Sequence, residues 1–292
     1  MKKVIAIVGP TASGKTKLSI EIAKRIHGEI INGDSVQVYQ GLDIGSAKIR
    51  PEEMEGIHHH LLSICDPKTT YSVFNFQKDA RYLIEKIGFP IIVGGTGLYI
   101  KAALYDYEFV ESKRSIDFEF QYEKYSNQEL YDLLMTKDPG VKIDLNNRRR
   151  LVRALEQAML GEPRSKKTKK DLVLYDTLII YLDLDRNILN ERLRLRLEKQ
   201  IEEGFLDEVY QLKQKDIEIN AIGYRELSQY LDGLLTLDEA KEQIIIHSRQ
   251  LAKKQKTWFK NQMNPWMIDA MDEHLIEKVY GRIIEFLKED NA

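Results

Sequence analysis

Eight consecutive residues near the amino terminus, Gly9-Pro10-Thr11-Ala12-Ser13-Gly14-Lys15-Thr16, follow the pattern G-x-x-x-x-G-K-[ST]. A β-branched run from Lys3 to Val8 precedes them, and a helical pattern from Lys15 to Ile26 follows. That strand–loop–helix context makes the motif a phosphate loop. Its glycines let backbone N–H groups converge on phosphate oxygens, and the helix behind adds the positive end of its dipole. Lys15 contributes a point charge, and the Thr16 hydroxyl is spaced to ligate Mg²⁺, the expected cofactor. Gly9 to Thr16 should therefore bind a di- or triphosphate, without fixing its fate. Many enzymes with this loop end a later strand in a carboxylate that helps to hold the metal. Here the strand from Phe89 to Val93 runs into Gly94-Gly95-Thr96-Gly97 instead. Asp183, after a strand from Thr177 to Leu182, fills that role or belongs to the turn before Arg186.

Asp34 ends a further strand, Glu29 to Asn32, and its carboxylate can act as a general base. Alone it reads more readily as a strand-end cap or an outer metal ligand. Charge is also segregated. Gly140 to Lys170 holds ten Lys or Arg against three Asp or Glu, and Arg249 to Lys260 holds five basic residues and no acidic one. On a chain with a formal net charge of −2, two such stripes suggest a polyanion surface, whereas one run alone is more often a solvated helix face. Trp258 and Phe259 in the second run suit base stacking or a helix core equally. His58, His59 and His60 suggest a metal tract at first sight. Neighbouring side chains rarely converge on one ion without a turn, and no cysteine cluster assists them. A structural or substrate-orienting role for His59 and His60 is expected instead.

The elements that position these groups follow from periodicity. The 292 residues suffice for one large core, or a core with an inserted domain. Leu18, Ile22 and Ile26 fall four apart, and strands alternate with helices, which argues for a parallel sheet covered on both faces. From Tyr105 to Asp171 the chain is polar, helical and basic, and after Asp185 it reads as almost entirely helical. Thr236 and Glu239 form a capping box for a long helix towards Met263, with Pro265 blocking its continuation. The expected fold is thus α/β. Residues 1–104 and 172–292 form a P-loop NTPase-like parallel sheet core with a helical C-terminal region, and 105–171 form an inserted helical domain. Cys65, the single cysteine, excludes an intramolecular disulfide and fits a reducing cytoplasm. The apolar run Val4 to Val8 is too short for a signal core or a membrane span, so no membrane association is expected.

Several blocks stand in order along the chain: Gly9 to Thr16; Asp34-Ser35-Val36-Gln37-Val38-Tyr39 with Gly45-Ser46-Ala47-Lys48; His59-His60-Leu61; and Gly94-Gly95-Thr96-Gly97-Leu98-Tyr99. Arg150 to Glu156, Ile222-Gly223-Tyr224-Arg225-Glu226, and Lys253-Lys254-Gln255 leading to Thr257-Trp258-Phe259 complete the set. Together they resemble the bacterial tRNA dimethylallyltransferases, which prenylate N6 of the adenosine just 3′ of the anticodon. The resemblance implies dimethylallyl diphosphate as donor and the tRNA anticodon stem-loop as partner of a monomer. It makes Asp34 the general base and puts Thr96 in the reaction channel. Arg196 best matches the arginine that contacts pyrophosphate, with Arg192 and Arg194 as alternatives. The implied tRNA contacts are Asp34, Ser35, Val36, Gln37, Thr96, Arg149, Arg150, Arg153, Gly223, Tyr224, Arg225, Lys253, Lys254 and Gln255, and the inserted domain is expected to bind tRNA. The chain departs from the family pattern at His58 (Pro is usual), Ser63 (Asp), Ser46 (Thr) and Asn147 (Asp), and its insert is short.

The implied chemistry is coherent. An adenine amine is a poor nucleophile, so a carboxylate near N6 helps by accepting the proton as the C–N bond forms. Pyrophosphate departs most easily into backbone amides, Lys15, Mg²⁺ and an arginine. Other readings compete. A nucleotide or small-molecule kinase would use the same loop and Asp34, but has no need of two basic stripes. Prenylation of free adenine nucleotides lies closer in class. An RNA-binding switch protein would leave Asp34 and the Gly94–Tyr99 block without a task.

Overall fold

The structure is a computed structural model and describes residues 1–107, 109, 116–166 and 172–289. It divides into two compact units, Met1–Leu104 with Leu174–Ala292, and Tyr105–Val173. The first opens with β1 (Lys3–Val8), α1 (Lys15–Ile26), β2 (Glu29–Asn32), β3 (His59–His60), α2 (Val73–Lys86), β4 (Pro90–Gly94) and α3 (Gly97–Leu104). The second holds α4 (Ile116–Gln121), α5 (Asn127–Lys137) and α6 (Arg148–Met159). The first unit resumes with β5 (Asp176–Asp183), α7 (Arg186–Glu202), α8 (Phe205–Gln214) and α9 (Tyr224–Leu231), then α10 (Leu237–Met263), β6 (Trp266–Asp269) and α11 (Leu275–Lys288).

The six strands form one sheet in the order β3-β2-β4-β1-β5-β6, and every pairing is parallel. The expected α/β class is the observed one. Two strands escape the sequence reading. Trp266–Asp269 interrupts a region expected to be helical, because its four residues lie between the long helical patterns of α10 and α11. β3 is only two residues long.

Leu18, Ile22 and Ile26 of α1 pack on Ile5, Ile7, Ile30, Ile91 and Ile180 of the sheet, with Val279, Ile283 and Phe286 of α11 completing that layer. Each fully buried side chain of this kind contributes about 1.5–3 kcal/mol before chain entropy is subtracted. A second core joins Leu193 and Leu197 of α7, Phe205 and Val209 of α8, Leu227 of α9 and Ile244 and Ile245 of α10. Thr236 caps α10 through the expected box with Glu239. Because all strands are parallel, their carboxyl ends share one sheet edge, where ligands of such folds bind.

In the unit Tyr105–Val173, Leu130 and Leu134 of α5 pack on Leu151 and Leu155 of α6 and on Tyr122. Asn147 caps α6 by accepting from the Arg150 N–H at 3.2 Å. Among the described residues no helix is long and apolar enough to cross a membrane.

Candidate active site

The loop between β1 and α1 is built for close backbone approach. Gly9 has φ +149° and a Cβ there would sit 2.8 Å from the Leu182 carbonyl oxygen, so no side chain fits. Gly14 has φ +90° and open space where its Cβ would be. The Ser13 hydroxyl is buried without a hydrogen-bond partner. The Lys15 ammonium curls back onto its own loop, donating to the Pro10 carbonyl at 2.6 Å. Burial, then repulsion from the Arg196 guanidinium, push Lys15 down to about 8, while Asp34 acts in the opposite direction. An open glycine, an orphaned hydroxyl and an underused ammonium fit a diphosphate.

Thr11, Ala12, Gly14, Lys15 and Thr16 line a cavity of about 820 Å³. Asn32, Asp34, Val36 and Gln37 come to it from the end of β2, Arg192 and Arg196 from α7, Gly223 and Tyr224 from the start of α9, and Gln255 from α10. Leu193, Leu197, Ile222, Ile244, Ile245 and Leu251 give it apolar wall. Asp34 is its sole acidic lining residue among those described. One Asp34 oxygen accepts the Val36 N–H at 2.8 Å, and the Asp34 N–H donates to the Asn32 side-chain carbonyl at 3.1 Å. This turn aims the carboxylate and leaves its second oxygen available. Thr16, the residue expected to hold the metal, lines this cavity and offers a single hydroxyl oxygen. It suits Mg²⁺, which keeps several waters and binds through substrate phosphates.

The α7 arginines separate. Arg194 faces outward and pairs with Glu242 at 2.9 Å, with both side chains about half exposed. Arg196 lines the cavity and reaches the Ser46 carbonyl at 3.4 Å. Burial lowers the Arg196 pKa, opposed by the charge of Asp34. Arg192 also lines the cavity, with its guanidinium turned to the Ala12 carbonyl at 3.2 Å. Arg196 and Lys15 thus bring positive charge to the cavity that Asp34 alone opposes.

The loop 43–48 forms another wall, and its anchor is a residue that sequence reasoning missed. Glu208 of α8 accepts the N–H groups of Asp43, Ile44 and Gly45 at 2.9, 2.8 and 3.0 Å, and the Tyr224 hydroxyl at 2.7 Å. Burial, then the Glu208 charge, push the Tyr224 phenol up. Gly45 is packed so closely on Phe205 and Tyr224 that a Cβ would lie 2.1 Å from the Phe205 ring. Gln37 donates to the Ser46 carbonyl at 3.0 Å, and Lys48 donates to Ser63 at 2.8 Å. Ser63 thereby gives Lys48 an acceptor where Asp is usual. Glu226 is fully buried and accepts the Gly223 N–H at 2.7 Å, the Arg225 guanidinium and His247 Nδ1 at 2.8 Å. Burial works to raise its pKa, but those donors outweigh it and the net shift is downward. Glu226 therefore fixes the Gly223–Arg225 turn.

Other anticipated residues lie apart. Thr96 is not among the residues lining this cavity; its hydroxyl accepts the Ser35 N–H at 3.1 Å and contacts the Ser35 hydroxyl at 3.3 Å. Phe259 is fully buried against Tyr181, so it is core rather than a stacking platform. Trp258 covers Gly97, where a Cβ would lie 2.3 Å from its ring. Asp183 does not line the phosphate cavity; it pairs with Lys256 at 2.7 Å and caps Leu184 N–H at 3.0 Å. It borders, with Pro10, Arg249 and Lys253, a second cavity of about 930 Å³. Lys253 and Lys254 are exposed on α10. Arg149 and Arg150 are exposed on α6, and Arg153 pairs with Glu156.

Relatives point the same way. The sequence model of the family described as IPP transferase matches residues 37–262. A tRNA dimethylallyltransferase of Acholeplasma laidlawii is 49% identical over 287 residues, covering 98% of this chain and 99% of that protein. The crystal structure of a full-length tRNA isopentenylpyrophosphate transferase from Bacillus halodurans is 39% identical with a TM-score of 0.77, over 99% of this chain and 98% of that one. A eukaryotic dimethylallyltransferase, crystallised in snapshots of its action on tRNA, is 28% identical with a TM-score of 0.87, over 100% of this chain and 81% of that one. By fold, by ordered motifs and by full-length similarity, this chain belongs to the IPP transferase family.

Proposed function

We propose that this chain transfers a dimethylallyl group from dimethylallyl diphosphate to N6 of the adenosine 3′ of the anticodon in tRNA, releasing pyrophosphate. The observation that carries the reading is that Asp34 lines the same cavity as Lys15 and Thr16. A proton acceptor and a diphosphate cradle are thereby within reach of one bound donor.

The amides of the loop, Lys15 and Arg196 hold the diphosphate, and the apolar wall of Leu193, Leu197, Ile244 and Ile245 takes the isoprenoid tail and excludes water. Mg²⁺, when bound, neutralises charge on the phosphate oxygens, and Thr16 is the residue that would hold it. The adenine must leave the anticodon-loop stack to enter. Gln255 donates to the Gly95 carbonyl at 2.9 Å, and its own carbonyl oxygen is buried without a partner, an acceptor suited to a base edge. The allylic carbon–oxygen bond then breaks with its electron pair leaving on pyrophosphate. The N6–carbon bond forms, and the N6 proton passes to the free oxygen of Asp34. Lys15 and Arg196 stabilise the charge that develops on the leaving group.

The insert, with Arg149 and Arg150, together with Lys253 and Lys254, supplies the RNA-binding charge in this reading. One chain carries every side chain invoked, so a monomer suffices, and a tRNA acceptor locates the activity in the cytoplasm. The test is a filter assay with radiolabelled dimethylallyl diphosphate, Mg²⁺ and unmodified tRNA, run beside an assay of phosphoryl transfer from ATP. Label retained on tRNA, and absent from a tRNA lacking the target adenosine, is the expected result. ATP turnover without label transfer would replace this reading with a kinase.

A further inference from the structure

Outside the cavity, the edge of the sheet brings together three metal-ligating side chains from segments well separated in the sequence. His58 and His60 flank His59 in an extended segment, so their side chains project to one face while that of His59 projects to the other. The parallel register pairs Ile30 with His59, which sets Glu29 beside His58 on the face that the two outer histidines share. His59 is withdrawn, with its Nδ1 hydrogen-bonded to the Ile57 carbonyl at 2.9 Å. The sequence alone presents three adjacent histidines that cannot converge. The fold removes the middle one and adds a carboxylate.

We propose that Glu29, His58 and His60 form a binding site for a borderline-soft divalent cation, of which Zn²⁺ is the probe of choice. One ligand atom from each of the three lies within 4.8 Å of the others. His60 Nε2 is 2.7 Å and His58 Nδ1 4.0 Å from the same Glu29 oxygen. Donors on a tetrahedral Zn²⁺ with bonds of about 2.0–2.1 Å stand roughly 3.3 Å apart, so small side-chain rotations bring these atoms to ligating distance. The His58 and His60 rings are stacked, 4.2 Å apart and 7° from parallel. Each needs only to tilt its nitrogen towards a common point above Glu29. His58 is 68% exposed and free to do so. Among the described residues no lysine or arginine pairs with Glu29, so no fixed cation competes for the carboxylate.

Two imidazoles and one carboxylate select Zn²⁺, Ni²⁺ or Cu²⁺ over Mg²⁺, which prefers oxygen donors and octahedral geometry. The site is thus chemically distinct from the hydroxyl oxygen that Thr16 offers at the phosphate loop. Three protein ligands leave room for water or an external donor. A bound ion would bridge β2 to the edge strand β3. The chain just beyond β3 supports the active site, because the Leu61 carbonyl accepts from the Asn32 side chain, whose own carbonyl orients Asp34.

The experiment is isothermal titration of Zn²⁺ into the full, untagged, chelator-stripped chain at pH 7.5, with Cys65→Ser as a control for the half-buried thiol. One equivalent of Zn²⁺ should bind, with affinity lowered at least about 10-fold in each of Glu29→Gln, His58→Ala and His60→Ala, the lower bound seen when even an outer partner of a metal ligand is removed. His59→Ala and Cys65→Ser should leave it unchanged. His58→Ala is the decisive variant, because that exposed side chain has little to contribute to folding, and circular dichroism verifies that each variant is folded. No stoichiometric binding, binding indifferent to the three ligand variants, or binding abolished by Cys65→Ser would each overturn the proposal.

Discussion

Lys15 and Asp34 carry opposite duties in one cavity, and each makes a separate prediction. With Lys15 held at about 8 by burial and by Arg196, the ammonium is intact below that pH and is lost as pH rises through it. Donor capture, read as kcat/KM for dimethylallyl diphosphate, should therefore fall above about pH 8. A bound diphosphate restores the proton, so kcat at saturation should fall less. A kcat/KM profile flat to pH 10 would count against Lys15 as the phosphate contact. Lys15→Ala should weaken donor affinity about 10- to 150-fold, the range of a hydrogen bond to a charged group. Sequence spacing made the loop legible at once, since the motif is contiguous. The choice among Arg192, Arg194 and Arg196 was not, because all three share one helix and only packing turns Arg194 to Glu242 and Arg196 into the cavity.

At the scale of elements, α10 serves as a strut. It opens on the Thr236 cap, passes Gln255 against Gly95 and Trp258 against Gly97, and ends buried at Met263. Replacing Gly97 with alanine would drive a methyl group into the Trp258 ring. The expected cost is about 1–3 kcal/mol of stability from overpacking, measurable by urea denaturation. An unchanged midpoint would mean that the Gly94–Tyr99 turn is looser than described. This contact also explains why Trp258 and Phe259 could not be assigned from sequence. A basic helix with aromatics looks the same whether its rings face RNA or a glycine, and only the approach of α3 decides. Glu208 was hidden for a similar reason. Its donors are backbone N–H groups more than 160 residues away in sequence, and backbone amides carry no motif. β3 was missed because two residues show no period, and β6 because its four residues lie between two long helical patterns.

At the scale of the whole molecule, a net charge of −2 must still attract a polyanion, so the attraction has to be local. Lys253→Glu with Lys254→Glu should raise the KM for tRNA without moving the KM for the donor. The dependence of tRNA affinity on salt should flatten by about 0.7–0.9 in log–log slope for each phosphate that is no longer neutralised. Identical salt slopes in wild type and variant would make that stripe an ordinary solvated face. The α/β architecture, the phosphate loop and the alternation of strands and helices were legible from the chain, because each rests on a contiguous motif or on local periodicity. What remained hidden depended on which distant segments the sheet brings to one edge.

The proposed reaction turns on one proton, which in that proposal the carboxylate beside the phosphate cradle takes from the acceptor amine. The most direct test is single-turnover transfer of labelled dimethylallyl to saturating tRNA by Asp34→Asn, with tRNA affinity measured on the same preparation. Asparagine keeps an oxygen for the Val36 N–H but cannot accept the proton, so tRNA should still bind while transfer slows by about 10²–10⁴-fold. Transfer within a few-fold of wild type, at unchanged tRNA affinity, would contradict that assignment and leave Asp34 only the task of shaping its turn.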